Sequence, residues 1–219
     1  MSIQVAIDGP AGSGKGTVAR KVARDCNLIY IDTGAMYRAI AYATIKNNLS
    51  LTDEDAIVSL AESSKIEFAG DKVYLNGQDV SKEIRTMEVS KIVSPISSIV
   101  KLREILVGMQ QKLALGNNVI MEGRDITTVV LPFAKYKFYL DADITERAKR
   151  RFEELKQRGD KITLEEVLEN IKNRDYNDTH KEVGSLTRTN DSIYIDSTNL
   201  SIDEVVNIIE SKIEVDLWI

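Results

Sequence analysis

The stretch Gly9-Pro10-Ala11-Gly12-Ser13-Gly14-Lys15-Gly16-Thr17 carries the clearest chemistry in this chain. It follows the apolar run Ile3 to Asp8, which reads as a buried strand. It precedes a helical pattern from about Lys15 to Asp25. Strand, glycine-rich turn, lysine and helix form the context that a G-x-x-x-x-G-K phosphate loop requires. Glycines let the backbone wrap a phosphate closely, so that successive N–H groups point at it. The helix N-terminus behind them adds a favourable dipole. Lys15 has the reach to place its ammonium between the β- and γ-phosphates of a nucleotide. Gly16 stands where the general pattern has Ser or Thr, so Thr17 becomes the candidate hydroxyl near Mg²⁺.

Two further clusters fall at strand ends. Asp32-Thr33-Gly34-Ala35-Met36-Tyr37-Arg38 follows the short apolar run Leu28 to Ile31. It is expected at the carboxyl edge of a parallel sheet, where ligands bind in doubly wound folds. The Thr33 hydroxyl and the Arg38 guanidinium could grip one phosphate there. Taken alone, the segment reads better as a capped helix with a solvated arginine. Glu122-Gly123-Arg124-Asp125 follows the buried run Val119 to Met121. A carboxylate in the place of Glu122 can hold Mg²⁺ or its waters. Arg124 and Asp125 offer a phosphate donor beside a base-reading acceptor.

Arg147, Arg150, Arg151 and Arg158 lie on overlapping faces of a helix predicted from Asp143 to Gln157 and the segment after it. Glu153 and Glu154 are close enough to pair with them, as in an ordinary solvated ion-pair helix. In a phosphate-loop kinase, arginines after the fourth strand instead form a mobile lid that neutralises the transferring phosphoryl group. Arg150 and Arg151 are the candidates for that work.

The elements that must hold these groups are short apolar strands alternating with helices. Thr33 to Lys46, a segment opened by Asp53-Glu54 with Thr52 as N-cap, and Leu164 to about His180 read as helices; Ser201 caps the last one. Lys137 to Leu140 and Ile193 to Ile195 read as further strands. Between Ile66 and Val80 the period changes to alternation, and Asn76-Gly77 signals a hairpin. Helical patterns resume from Thr86 to Leu115, in two pieces because Pro95 interrupts the first. The expectation is an α/β fold of the P-loop NTPase type: a parallel sheet with helices on both faces, a small antiparallel hairpin insert and a helical lid. One domain over 1–219 suffices, with an acceptor-binding region at about 33–103 and the lid at about 147–181.

Composition narrows the partners. Lys+Arg 29 against Asp+Glu 34 leaves a net charge of −5, so no global field attracts nucleic acid and anions must be held by local basic groups. No run approaches the ~18 apolar residues of a membrane span. Ile3-Gln4-Val5-Ala6-Ile7 follows the start without a basic export signal, and the single Cys26 is compatible with a reducing compartment. A cytoplasmic protein, monomeric, with neither membrane nor nucleic acid as partner, is expected. His180, the only histidine, reads as a solvated helix residue.

The Lys15-Gly16-Thr17 ending is typical of nucleoside monophosphate kinases. Together with Ile7-Asp8-Gly9-Pro10, Asp32 to Arg38, Glu83-Ile84-Arg85-Thr86, Glu122 to Ile126 and Ile195-Asp196-Ser197-Thr198, it resembles the bacterial cytidylate kinases from the first strand to the last helix. The resemblance implies ATP as donor, Mg²⁺, and CMP with dCMP as acceptors. It further implies phosphate contacts from Thr33, Arg38 and Arg124, ring contacts from Ser94 and Arg103, and sugar and phosphate contacts from Arg174 and Asp178. Asp125 matches the carboxylate that accepts from the cytosine amino group, the natural partner for that donor. Lys181 stands where the family usually has arginine, keeping the charge without the bidentate fork. Ser185 replaces a usual proline and Thr127 a common glycine. Alternatives are a kinase of the same class with another nucleotide or small metabolite as acceptor, and a nucleotide switch. A GTPase switch needs an Asn-Lys-x-Asp run, and Asn170-Ile171-Lys172-Asn173 does not fit it.

Overall fold

The computed structural model describes residues 2–217. In chain order it begins with β1 (Gln4–Asp8), α1 (Lys15–Asp25), β2 (Ile29–Asp32), α2 (Thr33–Lys46) and α3 (Glu54–Glu62). Three short strands follow, β3 (Ile66–Ala69), β4 (Lys72–Leu75) and β5 (Gln78–Asp79), then α4 (Met87–Ile96) and α5 (Val100–Ala114). The chain closes with β6 (Val119–Gly123), a π-type turn (Ile126–Val130), β7 (Tyr136–Asp141), α6 (Ile144–Gln157), α7 (Leu164–Thr179), β8 (Ile193–Asp196) and α8 (Ile202–Leu217). The chain divides into two compact units, Met1–Tyr30 with Gly116–Ile219, and Ile31–Leu115.

The first unit is built on a five-stranded sheet of order β2-β6-β1-β7-β8. β1 pairs in parallel with β6 (Ile7 opposite Glu122) and with β7 (Ile7 opposite Phe138), and β7 pairs in parallel with β8. Side chains on both faces of β1 are buried, which is why this run is apolar without alternation until Asp8. Val5, Ile7, Ile120 and Phe138 pack with Val18 and Val22 of α1 and Val206 and Ile209 of α8. Ala148, Leu155, Val167 and Ile171 make a smaller core where α6 meets α7. A central parallel strand running into a glycine turn and a helix is the P-loop NTPase arrangement expected from the sequence. Cys26 is the C-cap of α1, and its thiol is buried.

The second unit is helical with an antiparallel sheet of order β3-β4-β5. Asn76 and Gly77 both have left-handed φ, 51° and 79°, as a two-residue primed hairpin turn requires. Its core joins Met36 and Ile40 of α2 to Ile57, Val73, Ile84, Val93, Leu102 and Leu106.

Two boundaries differ from expectation. The cap of α3 is Asp53, whose carboxylate accepts from Ala56 N at 3.1 Å, while Thr52 is engaged with the Ser50 hydroxyl. Thr86 to Leu115 forms two helices as expected, but Pro95 lies inside the last turn of α4, one residue before its end at Ile96, rather than at the break itself. A proline so near the C-terminus sacrifices a single helix hydrogen bond. The Ser97 and Ser98 amides close the end on the Val93 and Pro95 carbonyls. Ser201 caps α8 as expected, reciprocally with Glu204. Among the described residues no helix is long and apolar enough to cross a membrane.

Phe138 is fully buried in the sheet core. Phe138→Ala should cost about 3–5 kcal/mol of stability, read as a lower urea midpoint at unchanged slope.

Candidate active site

The glycines of the phosphate loop answer to specific neighbours. Gly12 and Gly14 hold φ of 78° and 86°, conformations that side chains rarely adopt. A Cβ on Gly9 would overlap the Leu140 carbonyl oxygen, and one on Gly12 would come 2.9 Å from the Arg147 carbonyl oxygen. Behind the loop α1 starts with no side-chain cap, unlike α2, α3, α4, α6 and α7. Its leading N–H groups are left for an anion. Ser13 Oγ is buried with no hydrogen-bond partner among the described residues. Uncapped helix, left-handed glycines and an orphaned hydroxyl fit a bound phosphate group. Lys15 is buried and donates to the Pro10 carbonyl at 3.0 Å. Burial, reinforced by Arg124 and Arg174 and opposed by Glu122 and Asp178, pulls its ammonium down to about 7.

Glu122 explains the departure at Gly16. A Cβ there would stand 2.9 Å from Glu122 Oε1, so a serine or threonine after the lysine would press on the carboxylate. Tyr30 donates to the same oxygen at 3.2 Å, and the Arg20 guanidinium lies over the Tyr30 ring. Thr17 follows Gly16 with an exposed side chain.

Asp178 is the charge hub of the first unit. Its Oδ2 takes Arg124 Nε at 2.6 Å and has Arg174 Nε at 3.9 Å, and its Oδ1 has Lys181 Nζ at 3.4 Å. Burial would raise this carboxyl, but the three cations override it and pull it down to about 2. Asp125, also buried, heads the π-type turn, and its carbonyl accepts from Val129 N at 2.8 Å. Such turns concentrate at functional sites.

In the second unit Asp32 caps α2 through the Ala35 amide at 2.8 Å and holds Arg38 by an ion pair of 2.7 Å. Burial would raise Asp32, but Arg38, the Ala35 amide and Arg85 hold it below the usual range. Thr33 is buried at the first position of α2. Arg103 donates to the Ser97 carbonyl at 3.0 Å and lies over the Tyr37 ring, while the Ser94 carbonyl accepts from the Ser97 hydroxyl.

The arginines of α6 have separate tasks. Arg147 is buried and donates to the Ala142 and Ala11 carbonyls at 2.9 and 3.0 Å and to Asp175 at 2.6 Å, pinning α6 to the phosphate loop and to α7. Arg150 donates to the Ser197 carbonyl at 2.7 Å and to Glu146 at 3.1 Å. Arg151 and Arg158 both pair with Glu154. Among the described residues the acids paired with these arginines are Asp175, Glu146 and Glu154, with Asp141 at 3.9 Å from Arg147, and Glu153 is not one of them.

A family model described as cytidylate kinase matches residues 5–215. The chain belongs to the cytidylate kinase family. A cytidylate kinase of Caldanaerobacter subterraneus subsp. tengcongensis is 52% identical over 94% of this chain and 92% of the relative. One from Alkaliphilus oremlandii is 47% identical over 93% of this chain and 94% of its own. One from Clostridioides difficile is 44% identical over 97% of this chain and 98% of its own. An uncharacterized protein from Eubacterium ventriosum has the same fold, with TM-score 0.54 at 14% identity, over 97% of this chain and 99% of that one.

Against this family background, the first unit brings Lys15, Glu122, Arg124, Arg174, Asp178 and Lys181 into one electrostatic group. The second brings Asp32 to Arg38. Sequence reasoning missed Asp8, Tyr30, Asp175 and Ser197 as parts of the frame. A charged residue closing an otherwise apolar strand was the available signal for Asp8, and Ser197 lies in the Ile195 to Thr198 segment that carries the resemblance; for Tyr30 and Asp175 no local signal exists.

With its free-state value near 7, Lys15 is largely neutral at pH 8 and must gain a proton to face a phosphate. ATP binding at pH 8 should take up a proton, read as calorimetric heat that varies with buffer ionisation. The uptake should shrink toward pH 6 and vanish in Lys15→Ala; uptake that persists there would assign the proton elsewhere.

Proposed function

We propose that this cytidylate kinase transfers the γ-phosphoryl group of ATP to CMP, and to dCMP, giving ADP and CDP or dCDP. The observation that carries the reading is the match to the family over residues 5–215, in a chain whose phosphate loop and uncapped α1 fit a triphosphate. The loop Gly9 to Thr17 holds the donor, with Lys15 at the β- and γ-phosphates. Mg²⁺ would be held by Thr17 and Glu122, directly or through water, and would neutralise phosphate charge. The support is the chemistry of that set, a hydroxyl and a carboxylate beside phosphates, which suits this cation.

We assign Thr33, Arg38 and Arg124 to the acceptor phosphate, and Ser94 and Arg103 to the pyrimidine ring. Asp125 takes the N4 amino group; Arg174, Asp178 and Lys181 serve the sugar and phosphate. No covalent nucleophile takes part. The chain lowers the barrier by positioning the two phosphates and balancing the charge that develops between them. Arg150 and Arg151 are the arginines assigned to that charge. Both hold partners of the kind a phosphoryl group can replace: a carbonyl and Glu146 for Arg150, Glu154 for Arg151. The two units serve one reaction on free nucleotides, in a cytoplasmic monomer needing neither a membrane nor a nucleic-acid surface.

Two measurements test this. Arg150→Ala with Arg151→Ala should lower kcat more than it weakens ATP binding, since their contacts belong to the reacting state. An effect on ATP affinity alone would make them binding residues. Asp125→Ala should lose CMP activity and narrow the preference for CMP over UMP on the order of tenfold to a hundredfold, because a hydrogen bond to a charged group is lost for cytosine only. An unchanged ratio of kcat/KM for CMP and UMP would remove Asp125 from base recognition.

A further inference from the structure

Asp8 closes β1, the central strand of the five-stranded sheet, and none of its surface is exposed. Its carboxylate accepts three hydrogen bonds from one short segment. Oδ1 accepts from Ile126 N at 2.9 Å; Oδ2 accepts from Thr127 N at 2.8 Å and from Thr127 Oγ1 at 2.7 Å. The residue before that segment is Asp125, and the residue after Asp8 is Gly9, the first of the phosphate loop. One buried side chain thus ties the root of the phosphate loop to the backbone that carries Asp125.

The tie is needed because the backbone at Asp125 has left the sheet. Its φ of −138° and ψ of 27° belong to no regular element, and the π-type turn begins immediately after it. No strand ladder fixes the direction of its side chain, and the charge of Asp125 opposes that of Asp8. Two acids kept near each other against repulsion must be held by other bonds, and the three donors on Asp8 add to those that the Val129 and Val130 amides make to the Asp125 carbonyl. Thr127 supplies two of the three, one from its amide and one from its hydroxyl. Any residue at this position would supply the amide bond; only a hydroxyl residue supplies the other.

We propose that Asp8 and Thr127 form a positioning clamp that orients Asp125 for discrimination between cytosine and uracil. The proposal rests on the assignment of Asp125 to the cytosine amino group. Thr127 is a positioning residue, touching no substrate and acting through its neighbour. A base-reading carboxylate must be held within about 0.5 Å of its working place, so a loosened clamp shows first as lost selectivity.

Thr127→Val removes the hydroxyl at nearly constant volume, Thr127→Ala removes it with a smaller residue, and Thr127→Ser retains it. The kcat/KM for CMP and for UMP, the KM for ATP and the melting temperature are measured for each. Both hydroxyl-free variants should lower the CMP-to-UMP ratio by about tenfold, the scale on which a displaced contact reports, with the KM for ATP unchanged. Thr127→Ser should restore the ratio. In an Asp125→Ala background, Thr127→Val should change the ratio no further, since the group it positions is gone. A lowered melting temperature with an unchanged ratio in Thr127→Val or Thr127→Ala would overturn the clamp and leave Thr127 a structural residue. A ratio moved by Asp125→Ala but not by either variant overturns the clamp alone. A ratio that Asp125→Ala itself does not move overturns the base-reading assignment, and the clamp with it.

Discussion

The interaction on which this protein depends most is the meeting of three cations at a single buried carboxylate, Asp178. Arg124, Arg174 and Lys181 converge on it, and Lys15 feels the same group. Removing charges from water is unfavourable unless each is compensated, and Asp178 shares that work with Glu122 and Asp175. Lys15, the most deeply buried of the cations, has its ammonium weakened by burial and by its like-charged neighbours. Such a concentration of basic groups around the phosphate loop suits an anionic ligand.

The second constraint is closeness of backbone. Gly9 lies against the Leu140 carbonyl and Gly12 against the backbone of Arg147, while Arg147 itself donates to the Ala11 carbonyl. The loop is therefore clasped from outside by β7 and α6. Ser197 continues this bracing: its hydroxyl donates to the Asp141 carbonyl, and its own carbonyl receives Arg150. Rigid surroundings of this kind let a flexible glycine loop act as a preorganised site. Gly16 extends the logic, since its missing side chain makes room for Glu122 at the point where a cation and phosphates would meet.

Much of this was legible in the residues. The phosphate loop, α1 and α2 stand where periodicity and punctuation placed them, because strand, glycine turn and helix are local features. The hairpin was equally plain, since Asn76-Gly77 encodes its own turn geometry. Where expectation slipped, competing local chemistry decided. Asp53 outcompeted Thr52 as a cap because Thr52 was already occupied by Ser50. Pro95 fitted a last turn because little of the helix remained to break.

The sequence by itself determined the elements, the phosphate loop, the family and the residue types available for chemistry. Only the tertiary structure decided their partners. Asp8 and Thr127 lie 119 positions apart, and nothing near either names the other. They meet because β1 is inserted between β6 and β7, an order that local propensity does not encode. Arg147 and Arg150 look alike on a helix wheel, yet one is buried against Ala11 and Asp175 while the other reaches Ser197. Propensity and period act over a few residues, whereas charge pairing and burial act over a few ångströms of space. The second scale exists only once the chain is folded.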